Sequence, residues 1–121
     1  MAVYKPIVEH LRLKAGSSGV EYLFVKPYSG RLSVRWHVLA CIDWTNAPTR
    51  VDLCYRHGTV EYIVKAEKPS AAGNSVTVVG DILFPGDFEA GCIVTGATEG
   101  DMLDFYAYGE IIYPAVNNAV E

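Results

Sequence analysis

Long apolar runs are missing from this chain. The longest, Val38-Leu39-Ala40-Cys41-Ile42, is five residues, whereas a membrane-spanning helix needs roughly 20, so no membrane partner is expected. The opening stretch, MAVYKPIVEHLRLKAG, meets charge before any apolar core forms, so no signal peptide is expected. Cysteine is scarce and odd in number: Cys41, Cys54 and Cys92 make no CxxC pair. That suits free thiols buried as small apolar groups in a reducing compartment, not a disulfide framework. A basic excess is also missing. Ten Lys and Arg against 14 Asp and Glu give a formal net charge of −4, which argues against a general nucleic-acid binder, whose affinity comes from neutralising phosphates. Arg50, Arg56, Lys65 and Lys68 leave room only for a local basic patch. Finally, no window carries an apolar stripe at helical spacing.

What is present is apolar content in short alternating pieces. Half of the 121 residues are apolar and 20 % are charged, enough for one domain with an ordinary core and against disorder. The clearest alternation is RLSVRWHVLACID, residues 31–43. There Leu32, Val34, Trp36, Val38, Ala40 and Ile42 share one face, and Ser33, Arg35, His37, Cys41 and Asp43 the other, with Leu39 out of phase. Thirteen residues is long for one strand, so a bend or bulge within it is expected. Further strands are expected at 7–13, 20–26, 50–56, 59–66, 75–84, 91–95 and 102–113, with His57-Gly58 as a tight hairpin turn. Residues 1–6 and 114–121 are expected to be flexible, an amino-terminal arm and a carboxy-terminal tail around a single domain at 7–113. Eight strands with short turns predict an all-β fold, an eight-stranded antiparallel β-sandwich of jelly-roll type; an up-and-down barrel has the same strand count.

The stretch FPGDFEAGCIVTGATEGDMLDFYAYGEI, residues 84–111, holds Gly86-Asp87 and Gly100-Asp101, each just ahead of a strand. Calcium would need six to eight oxygens from a tight loop, and no DxDxDG-like spacing occurs. A catalytic carboxylate pair must face across a cleft, which spacing does not reveal. Asp beside Gly satisfies turn backbone, so these four residues read as turn-formers. His10, His37 and His57 are far apart and lack the His-x-His or HExxH patterns of a metal site. No metal, cofactor or catalytic residue is therefore assigned. Gly16-Ser17-Ser18-Gly19 reads as a hairpin loop, not a nucleophile elbow, and no Gly-rich phosphate loop occurs.

Tyrosine, at eight residues, is the distinctive side chain. In the last strand Leu103, Phe105, Ala107, Gly109 and Ile111 share one face, fit for a core. Met102, Asp104, Tyr106, Tyr108, Glu110 and Ile112 share the other, which is amphipathic and suits a protein interface or a sugar platform. Burial of both faces between layers is the alternative. Tyr4, Tyr106, Tyr108 and Tyr113 are the candidate interface residues.

The order Pro85-Gly86-Asp87, then Gly96-Ala97 and Gly100-Asp101, then Tyr106-Ala107-Tyr108-Gly109-Glu110, resembles the ending of small jelly-roll accessory virion proteins of tailed phages. The hairpin RVDLCYRHGTVEYIVKAEKPSAAG looks similar to their middle portion, so the likeness covers about residues 32–113. It implies a non-enzymatic capsid cement or decoration protein on the capsid surface, assembled in the host cytoplasm. Its partners would be the major capsid protein and further copies of itself, with a trimer favoured. The rival readings are a tail- or fibre-associated carbohydrate- or receptor-binding module, and a small cupin-like metal-dependent protein.

Overall fold

The computed structural model describes residues 3–42, 44–69 and 75–113, all in strands, turns and irregular connections. The eight strands are β1 (Val3–Lys14), β2 (Val20–Phe24), β3 (Ser33–Ile42), β4 (Arg50–His57), β5 (Val60–Glu67), β6 (Val76–Pro85), β7 (Glu89–Thr95) and β8 (Met102–Tyr113). One sheet has the order β1-β8-β3-β6 and the other β2-β7-β4-β5. Every adjacent pair is antiparallel. Only the β4–β5 connection stays within a sheet; all others cross the sandwich, which is the jelly-roll arrangement. The expected fold class is therefore observed.

The core lies between the sheets. Val34, Trp36, Leu39 and Cys41 of β3 and Leu103, Phe105, Ala107 and Ile111 of β8 point in from one side. Leu23, Val51, Leu53, Tyr55, Ala90, Cys92 and Val94 meet them from the other. The expected inner face of β8 is thus the one that packs. In β3 the pairing register shifts between Trp36 and Val38, against both β6 and β8. The bulge inverts the alternation, so Leu39 and Cys41 turn inward while Val38, Ala40 and Ile42 stand only partly covered. The expected single face through Trp36, Val38, Ala40 and Ile42 is corrected at this point. Leu39, out of phase with the simple pattern, sits on the core side of the bulge. Gly109 lies opposite Trp36, and a Cβ there would come within 2.2 Å of the Arg35 carbonyl. Glycine is what lets β8 approach β3 this closely.

Two further expectations shift. Residues 3–6, assigned to a flexible arm, are the start of β1: Val3 pairs with Tyr113, Tyr4 with Ile112, Lys5 with Ile111 and Pro6 with Glu110. Lys5-Pro6 breaks the apolar alternation, but an edge strand tolerates proline because one row of its amides needs no partner. The β4–β5 turn is Gly58-Thr59, because His57 pairs with Val60. Gly58 has φ +62°, the left-handed conformation that two-residue hairpins require. The expected tail at 114–121 lies outside the described residues.

Candidate interaction face

Both Gly-Asp pairs are used inside the fold. Gly100 has φ +92°, and its amide donates to the Ala15 carbonyl at 2.8 Å. The next carboxylate, Asp101 Oδ2, accepts the backbone amides of Thr45 (3.1 Å) and Asn46 (2.8 Å). The turn into β8 thereby ties down both the end of β1 and the β3–β4 connection. At the other pair, the Gly86 amide donates to the Leu32 carbonyl and its carbonyl accepts from Tyr28, so it clasps the β2–β3 connection. Asp87 Oδ2 lies 3.3 Å from His57 Nε2. Asp101 thus satisfies the backbone of a neighbouring loop.

The outer faces of the two sheets differ. In the β2-β7-β4-β5 sheet, long side chains cover the surface over β4 and β7, while Tyr22 on β2 and Ile63 on β5 stay about half exposed at its edges. The Arg56 guanidinium sits 3.8 Å above the centre of the Phe24 ring and bonds Glu89 at 2.9 Å, while Arg50 bonds Asp52 at 2.7 Å. Phe24 fits because its β7 partner is Gly91, where a Cβ would meet the ring at 2.4 Å. Under this cover the outward-pointing Cys54 is wholly buried, and desolvation, with Glu61 and Asp52 nearby, pushes its thiol up to about 12. In the core, the Cys92 thiol hydrogen-bonds Cys41, and that bond together with burial raises its pKa; all three cysteines are free.

The β1-β8-β3-β6 sheet is open across its centre as well as at its edges. Pairing places Val8 beside Tyr108, Tyr108 beside Val38, and Val38 beside Val79. This apolar belt crosses all four strands, with Val8 67 %, Tyr108 48 % and Val79 75 % exposed. Along one side of it run Pro6, Glu110, Arg35 and Leu83, and along the other His10, Tyr106, Ala40 and Thr77. Charges on this face are matched within it: Arg35 lies 3.5 Å from Glu110, and His37 lies 2.6 Å from Asp81 and 3.5 Å from Glu110. Asp104 is 1 % exposed although it points outward, because His10 (2.5 Å) and Arg12 (3.8 Å) close over it. The His10 ring stacks on Tyr106 with centroids 4.3 Å apart and planes 3° from parallel.

Of the candidate interface residues, Tyr4, Tyr106 and Tyr108 meet on this open face. Tyr113 does not join them; it falls in the opposite phase and packs partly on the core. Pairing the histidines needs the fold. His10, His37 and His57 each contact an aspartate, Asp104, Asp81 and Asp87, that lies 94, 44 and 30 positions away, and each contacts an aromatic ring, Tyr106, Tyr108 and Phe88. No local spacing signals such pairs. Among the described residues, no group of three or more His, Cys, Asp or Glu side chains is placed to hold a metal ion. A shallow depression of about 360 Å³ lies between Thr49, Arg50, Ala66, Glu67 and Lys68 at the β4–β5 edge, away from the tyrosines. No protein-family model matches the chain, and no curated protein is significantly similar to it.

Proposed function

We propose that this chain is a virion structural protein, a cement or decoration protein that binds and stabilises the head shell of a tailed phage. The observation that carries the reading is the contrast between the sheets: one is covered over its two central strands by its own ion pairs and a stacked arginine, and the other presents an exposed aromatic and aliphatic belt across all four strands with charge matched around it. Such a face has the apolar centre and polar border of a protein contact. The jelly-roll order supports the same reading, as does the use of Asp101 to hold a loop. Weak contacts repeated over a shell add through avidity, so a small rigid domain with one adhesive side suits the role. The test is co-sedimentation with expanded heads of the virus whose genome encodes the chain. Saturable binding and a raised melting temperature of the shell are expected; heads that neither retain the protein nor gain stability would end the reading.

A second reading, a carbohydrate-binding module of a tail or fibre, is favoured by one feature. The stacked His10–Tyr106 pair lies beside Arg12 and Asp104, which places an aromatic surface next to hydrogen-bonding groups. Binding to a glycan array, abolished by Tyr106→Ala, would select it over the cement reading.

A further inference from the structure

We propose that the open face of the β1-β8-β3-β6 sheet packs against the same face of a second copy of this chain, making a two-fold dimer. It concerns the protein free in solution, where a second copy takes the face that the cement reading gives to the shell, and it does not rest on that reading.

The strand order carries the argument. A two-fold axis parallel to the strands, between β8 and β3, reverses the order β1-β8-β3-β6. It lays β1 over β6 of the second copy, and β8 over its β3. Residues in one cross-strand row then meet within that row. Val8 falls over Val79 of the second copy, and Tyr108 over its Val38, so the most exposed apolar residues at the two ends of the belt cover each other. In the next row Glu110 falls over Arg35 of the second copy, and Arg35 over its Glu110. The face is its own complement in both apolar surface and charge, as an isologous interface requires.

Area agrees. Four strands about 4.8 Å apart, each about ten residues long, present roughly 600 Å². Two such faces remove about 1,200 Å² from water, the lower bound for a specific stable interface. On the other sheet the exposed apolar residues of the outer face stand apart on the edge strands, Tyr22 on β2 and Ile63 on β5, because Arg56, Phe24, Arg50 and Glu89 occupy the surface between them. A flat face shared by two copies closes on itself as a dimer, whereas the cement resemblance leads one to expect a trimer.

Sedimentation equilibrium on the full chain provides the test. Wild type is expected at twice the 13.2 kDa chain mass. Val79→Asp and Val8→Asp should each weaken self-association by roughly thirtyfold or more, with an unchanged circular dichroism spectrum. Tyr22→Asp, exposed on the other sheet, should leave it intact. Charge reversal separates contacts between copies from those within one. Arg35→Glu and Glu110→Arg each place like charges on both copies of their own dimer, so each alone should be monomeric. Mixed together they should form a heterodimer, because every cross-copy pair is then opposite in sign. A wild type that is monomeric at all concentrations or trimeric overturns the proposal. So does a dimer indifferent to Val79→Asp, or a mixture of the two charge variants that stays monomeric.

Discussion

The carboxylate of Asp101 accepts the backbone amide of Asn46 at 2.8 Å, across 55 positions of sequence. Because it also takes the Thr45 amide, one side chain at the entrance to β8 fixes the connection between β3 and β4. Hydrogen bonds to an ionised acceptor are stronger than neutral ones, and removing the acceptor leaves two amides to find water. Asp101→Ala should therefore cost about 1–2 kcal/mol of unfolding free energy in urea titration. Asp87→Ala, which loses one long contact at an exposed site, should cost less than about 1 kcal/mol.

The bulge in β3 can be read by mutation. Leu39 is buried and Val38 lies on the outer side, so Leu39→Ala should cost about 2–5 kcal/mol, and Val38→Ala well under half of that. Equal losses measured by chemical denaturation would contradict the inverted alternation.

Two glycines mark where strands approach too closely for a side chain. At Gly109 a Cβ would lie 2.2 Å from the Arg35 carbonyl, and at Gly91 2.2 Å from that of Leu23. Gly109→Ala and Gly91→Ala should each destabilise by about 3 kcal/mol or prevent folding, because backbone must move. Gly80, in β6, has open space where a methyl group would go, with nothing within 4 Å, and Gly80→Ala should be neutral or stabilise by roughly 0.5 kcal/mol. Thermal melts of the three variants would rank them.

Alkaline pH should act through groups held neutral by burial. Cys54 is raised to about 12, and Tyr28 and Tyr55 are also pushed upward by burial, Tyr28 further by its hydrogen bond to Glu9. A raised folded pKa contributes stability that is complete below the unfolded value and is lost as pH rises through the folded one. Unfolding free energy should therefore fall from about pH 9 toward 12. The fall should be shallower in Cys54→Ala. At pH 8 a thiol reagent should leave the native chain unlabelled and modify all three cysteines in urea.

The strands were legible because period-two alternation follows directly from burying one face of a sheet. Leu103, Phe105, Ala107 and Ile111 could be assigned inward from spacing alone. The phase of β3 was only half legible: Leu39 signalled an irregularity, but the bulge that resolves it depends on pairing with β6 and β8. Asp52, Cys54 and Ile93 alternate as outward residues and are nonetheless buried, which the period of the strand does not reveal. The candidate face was legible in part. Tyr106 and Tyr108 follow from alternation, whereas their neighbours Val8 and Val79 enter through β1 and β6, and the His10–Asp104 contact joins residues 94 positions apart.

Val3 stands opposite Tyr113 in the β1–β8 ladder, so the path into the sandwich and the path out of it share one corner. A partner joined directly at either of those strand ends, Val3 or Tyr113, would emerge from the same place. A short linker between those ends, with the chain reopened at Gly58-Thr59, would give a circular permutant that keeps every strand pair and loses only one tight turn.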